Sequence, residues 1–187
     1  MRRVMVGLAL LAAPFLYSSA SDYLSVKRKF ESIENHSLKP GSRVSLTPRE
    51  LNAYVQEEVP KVVPDGVREP KVELGNGAAS ASAMIDFAKV RRAQGKPPGW
   101  LMSKLLSGER PVKVNALIQS ASGRATVDVQ SVEVSGMTID GAMLDYLIDH
   151  YLRAVYPTAV VGQPFELGHR IERLEIKPSN VAVVIGK

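Results

Sequence analysis

Apolar positions recur along this chain with two periods, and each period marks one kind of element. At helical spacing, Tyr23, Val26, Phe30 and Ile33 share a face within Ser21–Asn35, while Asp22, Lys27, Arg28, Lys29 and Glu31 lie elsewhere. A second stripe, Leu51, Tyr54, Val55 and Val59, follows Thr47-Pro48-Arg49-Glu50. That opening is a capping box: the Thr47 oxygen and the Glu50 carboxylate each satisfy a free backbone N–H, and Pro48 suits the first helical position. Pro60 is expected to help stop this helix. A third stripe, Leu144, Leu147, Ile148, Tyr151, Leu152 and Val155, predicts a helix over about Gly141–Tyr156, with Asp140 as N-cap and Pro157 at its end. Amphipathic helices of this kind are stable only against an apolar surface.

Period-two stretches supply that surface. Val44–Leu46 reads as a short strand, and Pro64-Asp65-Gly66 as a turn into Val67–Leu74. Gly75-Asn76-Gly77 is a hairpin signal, since glycine and asparagine tolerate positive φ. Ala78–Val90 follows as a long strand with Ala79, Ala81, Ala83, Ile85 and Phe87 on one face. Such small residues leave room for a helix or a ligand to lie across them. Val112–Gln119 and Ala125–Val134 form a second hairpin around Ser120–Gly123. Ala125, Val127 and Val129 have one parity and Val132 and Val134 the other, so a bulge is expected near Ser131. Phe165–Leu167, Arg170–Ile176 and Val181–Ile185 close the chain as extended segments. The class is α+β: a curved antiparallel meander sheet packed against two amphipathic helices, Thr47–Val59 and Gly141–Tyr156.

At 187 residues the chain suits one domain, preceded by a targeting segment. Arg2 and Arg3 precede the apolar run Val4–Tyr17, and Ser18, Ser19 and Ala20 are small residues suited to cleavage. Residues 1–20 therefore read as a signal peptide or an uncleaved N-terminal anchor, and 21–187 as a single exported domain, periplasmic or in the cell envelope. With no cysteine, neither disulfides nor a thiol-borne acyl anchor are available. The formal charge of +5 falls to +3 without Arg2 and Arg3, which does not imply nucleic acid.

Candidate chemistry is sparse. His36, His150 and His169 lack metal-ligand spacing, and no nucleophile elbow or phosphate-binding loop is present. Asp145 and Asp149 read as a solvated helix face. Asp86 reads as a salt-bridge partner of Lys89 or Arg91. The chain is expected to be no enzyme and to need no cofactor or metal. Between Lys89 and Lys113, by contrast, basic residues are opposed only by Glu109. The single Trp100 lies among them with Leu101, Met102, Leu105 and Leu106. Lys96, Trp100 and Lys104 are candidates for contact with an anionic membrane surface, each basic contact being worth about 1 kcal/mol. The alternative is that Trp100 and the leucines fold onto the core.

The string Val44–Val55, V-S-L-T-P-R-E-L-N-A-Y-V, resembles the opening of small bacterial exported proteins of the tubular lipid-binding (TULIP-like) type, the YpmS, YceB and LmeA kinds. Val112–Ile118 and Gly123–Ile139 resemble their central hairpin, and Gly162–Leu167 with Ile171–Val183 their close. The resemblance implies a half-barrel holding an acyl chain in an apolar groove without catalysis. The chain lacks the lipobox cysteine and has the length for half of the tubular arrangement. Expected lipid contacts are Leu51, Tyr54, Val55, Ile85, Phe87, Leu144, Ile148 and Tyr151, with Trp100, Leu101 and Leu105 as lid. The competing expectation is an envelope scaffold whose groove is filled by its own side chains and whose sheet edge binds a protein partner.

Overall fold

The computed structural model describes residues 13–62, 65–93, 108–148 and 161–187. They form an α+β arrangement in which two main helices pack with two antiparallel sheets. Helix α1 spans Ala13–Glu34 and continues unbroken past Ala20. Strand β1, Arg43–Leu46, leads to helix α2, Pro48–Val62. Strands β2 (Val67–Leu74) and β3 (Ala78–Asp86) precede a short helix α3, Phe87–Ala93. Strands β4 (Glu109–Ala121), β5 (Arg124–Val134) and β6 (Met137–Ile139) lead to α4, Gly141–Leu147. Strands β7 (Phe165–Glu166), β8 (Ile171–Lys177) and β9 (Asn180–Ile185) complete the chain.

The single meander expected from the sequence is two sheets. β2 to β6 run in sequence order in a six-stranded sheet, with β7 paired to β5. The other three strands form a separate sheet in the order β1-β9-β8, because Arg43–Leu46 pairs with Val184–Val181 from the far end of the chain. Neither sheet closes or curls strongly among the described residues.

The pair of main helices also differs from expectation. The helix packed beside α2 is α1; of the Gly141–Tyr156 segment expected as the second main helix, Gly141–Leu147 is helical and residues 149–156 lie outside the described residues. The stripe on α1 explains the choice. Val26 is fully buried, Ile33 is buried with Val44, Leu46, Val183 and Ile185, and Phe30, Leu51 and Tyr54 pack around them. Val26, Phe30 and Ile33 thus cover one face of the small sheet.

Local chemistry fixes the element ends. The capping box forms as expected: the Thr47 amide donates to Glu50 Oε2 at 2.9 Å, and the Glu50 amide donates to Thr47 Oγ1 at 3.3 Å. Pro60 does not stop α2; it sits inside the last turn. The carbonyl it leaves without a helical donor belongs to Gln56, and both residues are exposed, so water can serve that carbonyl. The strand expected over Ala78–Val90 ends at Asp86, whose Oδ1 accepts the Lys89 amide at 3.0 Å and so caps α3. Phe87 consequently opens a helix and does not share the strand face of Ile85. Ser122-Gly123 and Ser135-Gly136 both have positive φ, and each makes the two-residue turn of a tight hairpin. Asp140 takes an extended backbone at the N-cap of α4 without a side-chain cap bond.

The two sheets are joined by hydrogen bonds, not by a shared ladder. The outer edge of β8 meets the hairpin tips of the large sheet: Gly77 donates to the Ile176 carbonyl at 3.0 Å and Gly123 to the Glu172 carbonyl at 2.7 Å. Between them, the Leu174 amide donates to Ser120 Oγ at 2.7 Å, and that hydroxyl donates to the Leu174 carbonyl at 3.0 Å. The opposite edge is covered by Lys29, which donates to the Ser45 carbonyl at 2.7 Å. These contacts occupy edge groups that would otherwise be free to pair with another chain.

Candidate functional site

The candidate site is the apolar face of the six-stranded sheet. In β3 it presents Ala79, Ala81, Ala83 and Ile85, paired in β4 with Ala116, Val114, Val112 and Arg110. In β5 it continues through Val134, Val132 and Val129 to Val127 and Ala125. Strict alternation would turn one group of these valines outward. The expected bulge prevents that: the register steps from Asn115 opposite Ser131 to Ala116 opposite Val129. One extra residue re-phases the strand and keeps every valine of β5 on one side.

The two sheets are covered very differently. On the small sheet Leu46, Val183 and Ile185 are no more than 4% exposed beneath the helices. On the large one Val134 and Ala125 of β5 are buried, but Ala79, Ala83, Ile85, Val112, Val114, Ala116, Val129 and Val132 are half-buried and Ala81 is exposed. Among the described residues no helix lies over β3 and β4 as α1 and α2 lie over the small sheet; α2 runs along β2, and α4 rests against β5. β2 and β5 are three strand spacings apart, about 14 Å. That gap is wider than the 8–10 Å at which packed helices meet.

α2 is clamped to its edge by Asn52. The side-chain amide donates to the Val72 carbonyl at 2.8 Å and accepts the Val72 amide at 2.9 Å, as a neighbouring strand would. It also donates to the Pro48 carbonyl at 2.7 Å. Glu50 holds the other side of α2. Its Oε1 accepts Lys29 Nζ at 2.6 Å and Ser25 Oγ at 2.7 Å, tying α2 to α1. Burial alone would raise the Glu50 pKa, but the bonds from Lys29, Ser25 and the Thr47 amide outweigh it and lower the pKa to about 2. The L-T-x-x-E-L-N string is therefore explained by architecture: a cap, a helix–helix tie and an edge clamp.

The anticipated lipid contacts fall in different places. Leu51 and Tyr54 pack into the helix and small-sheet core, where the Tyr54 ring meets Phe30 edge-on at 4.7 Å and stacks with Tyr23 at 6.5 Å. Val55 is half-buried on α2. Ile85 stands on the open face and Phe87 on α3. Leu144 is buried on α4, and Ile148 follows half-buried. Lys96, Trp100, Leu101, Lys104, Leu105 and Tyr151 lie outside the described residues. Among the described residues, Leu51 and Tyr54 thus belong to the small-sheet core and Leu144 to α4, and the strands between α2 and α4 carry alanines and valines.

The opposite face of the large sheet is polar. Glu73 bridges Lys71 at 2.8 Å and Lys113 at 3.2 Å, and Arg68 pairs with Glu109 at 2.7 Å. A depression of about 300 Å³ opens there between Lys71, Met84, Pro111 and Glu133. A second, of about 600 Å³, lies between α2 and residues 67–71. Asp86 forms the expected ion pair with Lys89, at 3.7 Å. His36 and His169, distant in the chain and without a shared motif, meet with their rings 5.8 Å apart. Among the described residues no third histidine or carboxylate joins them in a metal-ligand group. A comparison of the chain with known protein families, with curated proteins and with solved structures finds no match.

Proposed function

We propose that this chain is a non-enzymatic exported protein of the cell envelope that binds an acyl chain against the apolar face of its large sheet. The observation that carries this reading is the contrast in cover: one sheet is sealed by two helices, while the alanine and valine floor of the other stays half-exposed. Contiguous apolar surface that the fold leaves half-exposed is the kind that marks a binding site. Each methylene laid on such a floor contributes up to about 0.8 kcal/mol, so a chain of roughly a dozen carbons would bind without a catalytic or metal centre.

The likeness to tubular lipid-binding proteins supports the same reading. Two of the segments that carry it, Val112–Ile118 and Gly123–Ile139, supply the central strands of the floor. The half-barrel of that family would here be an open trough. Lys96, Trp100 and Lys104 would bring the trough to an anionic membrane surface. The experiment is titration of a fluorescent fatty acid into the purified protein and its Ala81→Phe variant. Ala81 is exposed, so the ring blocks the floor without overpacking a core. Saturable binding that falls about tenfold in the variant, at unchanged thermal stability, is expected. No saturable binding, or equal binding by both proteins, refutes the reading.

The scaffold alternative draws on a different observation: Tyr54, Phe30 and Leu51 fill the space between α1, α2 and the small sheet with the protein's own side chains. It predicts an intact fold, no lipid uptake and a protein partner at a sheet edge.

A further inference from the structure

The apolar floor ends in a charge. Arg110 has the same parity in β4 as Val112 and Val114, and it pairs with Ile85 across β3. It is half-buried, and its Nε is, among the described residues, the buried side-chain nitrogen or oxygen left without a hydrogen-bond partner. The acids beside it are engaged elsewhere. Glu109 precedes it and therefore faces the opposite side, where Arg68 holds it. Asp86 is committed to the Lys89 amide and ammonium. A buried guanidinium Nε–H is costly to leave unpaired, and a native fold that keeps one calls for a partner that the described residues do not supply.

We infer that Arg110 anchors the anionic headgroup, carboxylate or phosphate, of the amphiphile whose chain lies along the floor; the inference rests on the acyl-binding reading above. The planar guanidinium offers parallel N–H groups that match either oxyanion. The position also fits. From Arg110 to Ala116 is six residues, about 20 Å of strand at roughly 3.4 Å each. Half of the bilayer's hydrocarbon thickness is only about 15 Å, so one acyl chain fits between the charge and the hairpin end. The head then lies at the α3 end, near the exposed Lys89 and Arg92, and the tail points toward Ser120.

The test compares oleate, oleoyl-lysophosphatidate and oleyl alcohol as competitors of a neutral fluorescent lipid on the full chain. The wild-type protein should prefer at least one of the two anions over the alcohol by about tenfold or more, and the better anion identifies the headgroup. Arg110→Gln should remove the preference while leaving the alcohol's affinity in place, and Arg110→Lys should retain part of it. Equal potency of all three ligands on the wild-type protein overturns the anchor and leaves acyl binding standing. Failure of all three to bind removes acyl binding and the anchor together. The wild-type comparison needs no variant to fold.

Discussion

Glu50→Gln is the substitution that probes the architecture most sharply. The native carboxylate is 5% exposed and accepts from Lys29, Ser25 and the Thr47 amide. Its pKa is about 2 against an ordinary 4.5, so the folded state favours the ionised form. Two and a half units correspond to about 3 kcal/mol of stability. Because the native pKa is depressed, that contribution is complete above about pH 5 and is lost as pH falls through 4.5 toward 2. Glutamine can still accept the Thr47 amide, and Lys29 is about one-third exposed and can be rehydrated. The expected cost at pH 7 is therefore about 2–3 kcal/mol, not the larger penalty of an orphaned buried ion. Urea denaturation of both proteins from pH 7 to pH 2 reads it out. Glu58, Glu73, Asp86 and Glu175 also have lowered pKa values, through Tyr23, Lys71, the Lys89 amide and Arg43 respectively. They act in both proteins and cancel in the difference. The stability gap should close to under about 1 kcal/mol at pH 2. A gap below about 0.5 kcal/mol at pH 7, or one that does not change with pH, refutes the assigned role.

Two further substitutions test the junctions that position the floor. Asn52→Ala removes both bonds to Val72 and should cost about 1–3 kcal/mol, with faster hydrogen exchange at the Val72 amide than at its neighbours in β2. Gly66 has a φ of +113° and leaves only 2.9 Å between an added Cβ and both the Asp86 carbonyl oxygen and Lys89 Cβ. Gly66→Ala should therefore lower the denaturation midpoint by the equivalent of about 2 kcal/mol, and a neutral result would contradict the close approach of this turn to α3.

What sequence reading could see was local. The Thr47 and Glu50 capping box, the Gly75–Gly77 hairpin and the bulge near Ser131 are each encoded within a few residues, and each is present. The pairing of Arg43 with Val184 is not local: nothing in the period of either strand specifies a partner so distant in sequence, so one meander was expected where two sheets exist. The same limit hid the partner of α2. The stripe of Val26 and Ile33 was visible on α1, but not that it would cover the small sheet beside Leu51 and Tyr54. Pro60 and the end of β3 were missed for a different reason. Proline is tolerated in an exposed last turn, and Asp86 stops a strand by capping the next helix. Arg110 was counted only as one charge in a basic stretch. Its parity with Val112 and Val114 was the available signal, and it sets Arg110 apart from Lys113, which faces the polar side with Glu73.

The central claim is that the large sheet carries cargo on its half-exposed apolar face, and native mass spectrometry of the full chain, purified without detergent, addresses it most directly. The account predicts a population heavier than the polypeptide by one amphiphile, released on denaturation and recovered by solvent extraction, and missing from Ala81→Phe. A wild-type spectrum holding only the bare polypeptide, with an extract free of lipid, would contradict it.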